Sequence, residues 1–401
     1  MKILLVHNSY QQHGGEDAVF EQERALLERY GHRVVVYRRS NSEINSFMPL
    51  QRLTLPIDTI WSEHTRRDFS AILARQAPDV VHVHNTFVVI SPSIYSACRE
   101  QGIPVVQTLH NFRWMCPGAL FYRDGHPCED CASGSLWNGV RHACYRGSRA
   151  ATATIALTLA AHRRLGTWHD SIDCYIALTS FAREKFIAAG FPADRIVVKP
   201  NFVDSDPLPG EGTGGYALFV GRLSTEKGLN TLLEAWSLLN PRMRLQIIGD
   251  GPERPALEEL VRRRDIPGVI FRGRLSKDDI FAAMQGARFV VVPSTAYETF
   301  GLVIVEAMAC GAPVLCSRLG AMQELVADGV TGLHFNPGDP NDLAQKINWT
   351  WNHPVDLSAM RVAARREYER RYTARANYAQ LIEIYKNVLG RSFVAPAALA
   401  S

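Results

Sequence analysis

The 401-residue chain has no apolar run long enough to cross a membrane. Its quietest stretch, residues 150–161, contains three threonines, whereas a spanning helix needs about 20 predominantly apolar residues. The opening apolar run at 3–6 is too short for a secretory signal core, so a cytoplasmic protein is expected. Charge of one sign is also scarce. Lys plus Arg (44) less Asp plus Glu (40) leaves +4, too small a surplus for a dedicated nucleic-acid binder. No G-x-G-x-x-G is completed, because Gly249-Asp250-Gly251 continues into Pro252-Glu253-Arg254, which argues against a dinucleotide oxidoreductase. With 46% hydrophobic and 21% charged residues, disorder is excluded too.

What is present is a regular alternation. Short apolar runs at 2–7, 33–37, 79–84, 104–109, 171–178 and 195–199 are separated by helical patterns such as 16–30. Residues 204–215, with two prolines and four glycines, can form neither a helix nor an inner strand and read as a linker. Alternation restarts at 217–221, 244–249, 269–272, 289–293, 313–316 and 332–335, with helices expected at 229–239 and 302–310. Short buried strands alternating with helices make parallel sheets covered on both faces. The expected fold is therefore α/β, with two Rossmann-like, doubly wound domains facing a central cleft. The expected boundaries are 1–205 (with a cysteine-rich insert at 111–150), 206–372, and a segment 373–401. Its helix, 376–389, crosses back to the first domain and is followed by an alanine/proline tail after Arg391.

The second domain carries the sharpest chemistry. The strand ending at Gly221 is followed by Arg222 and Lys227, two cations five positions apart where open α/β sheets bind ligands. An arginine fork and a lysine point charge suit a diphosphate; a solvated turn with capping charges is the alternative. Glu298 and Glu306 stand eight positions apart, one in a loop and one inside an otherwise apolar helix. Free amides at Phe300, Gly301, Leu302 and Val303 open that helix and can bind an anion. A buried Glu306 requires donors, either ribose hydroxyls or an ion-pair partner. His110 follows the strand at 104–109. It is placed either for chemistry or for a local hydrogen bond, while His82 and His84 share one strand face and read as packing, with His84 on the acceptor rim.

The E-x7-E pattern, Gly221-Arg222-Leu223 through Lys227-Gly228, Gly249-Asp250-Gly251-Pro252 and Lys199-Pro200-Asn201 resemble retaining glycosyltransferases of family 4, over nearly the whole chain. The resemblance implies a GT-B fold. It also implies that Arg222 and Lys227 hold a donor diphosphate, that Glu306 binds the ribose, and that Glu298 contacts the transferred sugar. Phe300 to Val303 would touch sugar and phosphate, Gly249 and the backbone at Arg274 and Leu275 would line the donor site, and His110 would lie beside the donor sugar. The loop at Gly14 and Gly15 would approach phosphate or acceptor, since glycine allows close backbone approach. Glu16 and Asp17 have an ordinary account as acids in a first helical turn. The implied donor is a UDP or GDP sugar and the acceptor a glycan or lipid-linked molecule. Substitution would proceed with retention, and catalysis would need no cofactor or metal. Asp204-Ser205-Asp206 is discounted as a metal motif because it lies in the linker.

Cys116, Cys128, Cys131 and Cys144 crowd one stretch after His110, a departure from the plainest family pattern. They are either ligands of a structural zinc or reduced thiols. The stretch 150–165 with its basic end reads either as a half-buried helix or as a contact for an anionic membrane surface. A nucleotide-sugar 2-epimerase and a non-catalytic nucleotide-sugar-binding partner are the alternatives to a cell-surface polysaccharide transferase.

Overall fold

The structure, a computed structural model, describes residues 1–11 and 14–390; the tail expected after Arg391 lies outside the described residues. The chain divides into two units. The first comprises Met1–Phe121, Glu129–Asn201 and the chain from Asn377 onward, and the second Tyr122–Cys128 and Phe202–Ala376.

The first unit is built on strands β1 (Lys2–Ser9), β2 (Arg33–Ser40), β3 (Val80–Asn85) and β4 (Val105–Leu109). A two-residue hairpin, β5 (Tyr122–Arg123) and β6 (His126–Pro127), follows in sequence and groups with the second unit. β7 (Cys174–Ala177) and β8 (Ile196–Val198) complete the first sheet, in the order β2-β1-β3-β4-β7-β8. All its pairings are parallel. The order reverses between β1 and β3, and such switch points are where open α/β sheets take ligands, outside the carboxyl ends of the strands.

Both faces of this sheet are covered, which is why its strands read as continuous apolar runs. Ile3 and Leu5 pack with Phe20 and Leu27 of the helix Gly15–Arg29 and with Leu381 and Tyr385 of the last helix, Ala374–Leu389. Leu4 and Val6, on the opposite face, are equally buried. Each such side chain contributes roughly 1.5–3 kcal/mol. The same helix spacing turns Glu23 inward. Lys199 Nζ lies 3.2 Å from its Oε2, and both side chains are 1% exposed. Lys199 also donates to Asn377 Oδ1 of the last helix. Burial alone would raise the Glu23 carboxyl, but Lys199 and His82 hold it well below the usual carboxylate range. The Lys199-Pro200-Asn201 signature thus neutralises a buried acid.

The second unit repeats the plan with β9 (Tyr216–Val220), β10 (Arg244–Ile248), β11 (Val269–Gly273), β12 (Phe289–Val292), β13 (Val314–Ser317) and β14 (Gly332–Phe335). Its order is β11-β10-β9-β12-β13-β14, again all parallel, with the switch point between β9 and β12. Its core gathers Phe219, Leu232, Trp236, Ile247, Val291 and Leu343. Residues 204–215 are irregular, as their composition predicts, but they are not a loose tether. Gly210 and Gly212 donate to the carbonyls of Cys310 and Gln285, Arg361 Nη2 donates to Gly210 O at 2.7 Å, and Arg365 pairs with Asp206 at 2.9 Å. Asp206 is therefore spent on a structural ion pair.

Candidate functional site

In the second unit the loops leaving β9, β10, β11 and β12 at their carboxyl ends are woven together by backbone. Gly221 N–H donates to Ile248 O, Leu223 N–H to Asp250 O, Gly249 N–H to Gly273 O, and Thr295 N–H to Glu226 O. Glycine makes this approach feasible. A Cβ on Gly249, whose φ is +139°, would lie 1.8 Å from Gly221 O, and one on Gly228 would lie 1.9 Å from Pro293 O.

At this switch point Lys227, from the β9 loop, meets Glu298, from the β12 loop, at 2.5 Å, and Ser294 Oγ donates to the same carboxylate oxygen at 3.0 Å. Burial opposes both charges. Each nevertheless secures the other: the Glu298 carboxyl lies below its ordinary value and the Lys227 ammonium above it. Arg222 stands exposed nearby and its charge acts on Lys227. The helix Leu302–Ala309 starts beside them, with left-handed Gly301 as its cap (φ 92°), a residue that brings no capping side chain. Two cations and a helix start gathered here can attract an anion.

Glu306 is buried inside that helix. Its partner is Lys277, from the start of the helix Lys277–Gly286. Burial raises the Glu306 carboxyl, and Lys277 only partly offsets this. Sequence reasoning anticipated the need for a donor but not its identity, because Lys277 lies on another element with no pattern linking the two. Leu275 sits half-buried after β11, and Arg274 beside it reaches Asp250 Oδ2 at 3.7 Å.

In the first unit, His110 Nε2 lies 2.9 Å from His84 Nδ1, and the two rings stack with centroids 5.1 Å apart. His84 is buried and lies 3.5 Å from Glu23, so it is a support for His110 rather than a rim residue. Burial and the neighbouring imidazole of His82 push His84 down to about 4, and burial together with His84 holds His110 well below the ordinary value. Both rings are neutral near pH 7. A small cavity of about 20 Å³, lined in part by His84, Gln107, His110 and Arg113, lies at the carboxyl ends of β3 and β4; it has room for about one water.

Gly14 is extended (φ −128°), and the nearest atom to a Cβ there is Asp17 Oδ2 at 4.0 Å; a Cβ on Gly15 meets nothing within 4 Å. Packing within the protein therefore does not require glycine at either position. The two acids after them are more than helix-start charges. Asp17 accepts from Gly14 N–H and bonds His7 Nε2 at 2.8 Å, and Glu16 is engaged by two asparagines from other strands.

The cysteine-rich insert departs from the expected domain boundary. Part of it, Tyr122–Cys128, groups with the second unit, where Tyr122 OH lies 3.4 Å from Thr295 Oγ1. The four thiols also do not converge. Among the described residues, Glu23, His82 and His84 form the one group of three or more His, Cys, Asp or Glu whose ligand atoms lie within 4.8 Å of one another. Cys116, Cys128, Cys131 and Cys144 do not, although a tetrahedral zinc–thiolate site would need them closer still. Cys131 instead packs by Gly139, and Cys116 by Gly118. None of the eight cysteines is disulfide-bonded.

Two family descriptions match the chain in succession: "Glycosyl transferase 4-like domain" over residues 14–201 and "Glycosyl transferases group 1" over residues 214–353. The chain is 36% identical over 154 residues to MJ1178, an uncharacterized glycosyltransferase of Methanocaldococcus jannaschii, which covers 38% of this chain and 43% of that protein. It is 34% identical over 202 residues to O-antigen chain mannosyltransferase B of Escherichia coli, which covers 45% and 52%. It thus spans about half the length of these relatives. Among solved structures, Anabaena Alr3699/HepE in complex with UDP-glucose superposes with a TM-score of 0.68, at 22% identity over 96% of this chain and 100% of that one. The chain therefore has a GT-B fold, and its residues 14–201 and 214–353 match a glycosyl transferase 4-like domain and a glycosyl transferases group 1 domain in succession.

Proposed function

We propose that the protein is a retaining glycosyltransferase that moves a sugar from a nucleotide-diphosphate donor to a glycan or lipid-linked acceptor in cell-surface polysaccharide synthesis. The observation that carries this reading is the Lys227–Glu298 pair at the switch point of the second sheet, beside the open start of the helix Leu302–Ala309. Arg222, Lys227 and the helix amides would take the charge that develops on the departing diphosphate, which is the stabilisation this reaction most needs. Glu298, already aligned by Lys227 and Ser294, would accept hydrogen bonds from the transferred sugar. Glu306 would bind the ribose with Lys277 beside it, and Gly249 and Leu275 would border the nucleotide. His110, kept neutral, would hydrogen-bond the donor sugar. Gly14 and Gly15, open on their outer side, would admit phosphate or acceptor. The departing phosphate oxygen would take the acceptor's proton on the same face, so no metal ion is called on.

The UDP and UDP-glucose complexes of Alr3699/HepE favour a uridine donor over a guanosine one, and the O-antigen chain on which the E. coli relative acts favours a polysaccharide acceptor. Incubation with UDP- and GDP-sugars, followed by proton NMR, tests the reading. Sugar from an α-linked donor should appear α-linked in the product. A β-linked product, or isomerised donor without transfer, would contradict it.

A peripheral contact with an anionic membrane belongs to the same proposal. No helix among the described residues is long and apolar enough to cross a membrane. The helix Arg149–Arg164, singled out by its composition, leaves Leu157 exposed, with Leu165 exposed just beyond it. The helix Pro49–Ile60 packs on it, with His162 Nε2 at 2.7 Å from Ile60 O, and exposes Leu50, Leu53 and Ile57 at 68–75%. Sequence analysis passed over this second helix, although its 50, 53, 57 spacing is a helical stripe. Exposed Arg52, Arg149 and Arg164 add positive charge, which suits an anionic headgroup layer. Vesicles rich in phosphatidylglycerol should float the protein, and Leu53→Glu should weaken this several-fold. Equal flotation by the variant would contradict the contact.

A further inference from the structure

Glu16 is the residue whose surroundings no helix-start role explains. It opens the first helix directly after β1, and its carboxylate spans the switch point of the first sheet. Asn85, the last residue of β3, donates its Nδ2 to Glu16 Oε1 at 3.0 Å. Asn111, just beyond β4, donates its Nδ2 to Glu16 Oε2 at 3.1 Å. The two amides are fixed in the same way. Asn85 Oδ1 accepts from Phe87 N–H and Asn111 Oδ1 from Arg113 N–H, each at 3.0 Å. A backbone N–H can only donate, so both Nδ2 groups must point at the carboxylate. Three strand ends therefore converge to hold one carboxyl in one place.

That arrangement is costly as pure scaffolding. A half-buried carboxylate loses hydration, and neutral amide donors restore only part of it. The nearby cation compensates only in part: Arg113 donates to Pro117 O, lies over the Phe87 and Tyr145 rings, and lowers the Glu16 carboxyl without overcoming its burial. Each carboxylate oxygen has one amide donor in place and Tyr10 bonds the same carboxyl, which still leaves lone-pair capacity for an incoming donor.

We propose that Glu16 orients the acceptor, taking the hydrogen bond of an acceptor hydroxyl next to the attacking one, at the switch point of the first sheet. This rests on the glycosyltransferase reading above. Glu16 forms no bond to the sugar and keeps no proton; the attacking hydroxyl's proton leaves with the departing phosphate oxygen. The ionised carboxylate accepts the neighbouring hydroxyl's bond more strongly than the protonated carboxyl. The groups facing it are Tyr10, Arg113 and Asp17. Burial raises it to about 7, with Asp17 adding to the rise and Asn111, Arg113 and Tyr10 opposing it. Sugar transfer should therefore weaken as pH falls through that value.

The test compares sugar transfer with donor hydrolysis, in which water replaces the acceptor, in the wild type, Glu16→Gln and Glu16→Asp. Glu16→Gln should melt within a few degrees of the wild type and keep donor hydrolysis within about twofold. Its transfer should fall at least about twentyfold, with a raised acceptor KM and no acid limb near pH 7. Glu16→Asp, which keeps the carboxylate, should recover part of the transfer and the acid limb. The inference is overturned if Glu16→Gln transfers like the wild type, or if transfer and hydrolysis fall together in both variants. A wild type that consumes no nucleotide sugar overturns the transferase reading and this inference with it; an active wild type matched by Glu16→Gln overturns the inference alone.

Discussion

Alanine in place of Glu298 should lower sugar-transfer turnover at least about a hundredfold while leaving the chain folded. Glu298 reaches Lys227 at 2.5 Å and Ser294 at 3.0 Å, so its carboxylate is held in one orientation before any sugar arrives. Removing it deletes the acceptor of the sugar's hydrogen bonds and frees Lys227 to move. The stability cost is modest by comparison. The pair is 28% and 22% exposed, so solvent screens part of the charge left on Lys227, and about 1–2 kcal/mol is expected. Initial rates beside a thermal melt separate the two effects. Glu298→Gln refines the result, since it preserves shape and removes only charge, and it should lose nearly as much turnover. A full rate in either variant would remove Glu298 from the site.

Gly249→Ala should be among the most damaging single changes for stability. Its φ of +139° is one that L side chains rarely adopt, and the new Cβ would sit 1.8 Å from Gly221 O. Either β9 or β10 would have to shift at its carboxyl end, the edge that carries Lys227. A cost of roughly 3 kcal/mol or more follows from strain and overpacking, or a Tm lower by about 6–12 °C for a unit of this size. Gly14→Ala is the control. Its backbone is extended, and a Cβ there meets only Asp17 Oδ2, at 4.0 Å, so Tm should hold. Lost activity at an unchanged Tm would mark Gly14 as a place where ligand, not protein, needs the space.

Much of this architecture was legible because strands buried on both faces announce themselves. Runs such as Lys2-Ile3-Leu4-Leu5-Val6 and Phe289-Val290-Val291-Val292 have no polar face to hide, and glycines with positive φ punctuate them at 249 and 301. The donor-side residues were legible for a related reason: Lys227 and Glu298 each follow a strand end, and the sheet order brings those ends together. The pairings that cross elements were not. Nothing local ties Glu306 to Lys277, or Glu16 to Asn85 and Asn111, since those contacts exist only once strand order is fixed. Glu16 was read as a helix-start acid because that is the local account of such a position. The cysteines were not legible either: their spacing allows zinc ligands or reduced thiols, and the choice depends on the path of an irregular loop, which spacing does not encode.

The central claim is that the second unit binds a nucleoside diphosphate through its own cations and helix amides. A crystal structure with UDP or GDP bound tests it most directly. The account predicts pyrophosphate oxygens within hydrogen-bond reach of the Arg222 guanidinium, the Lys227 ammonium and the amides of Leu302 and Val303, with the ribose on Glu306. A pyrophosphate seated away from Arg222 and Lys227 would contradict it.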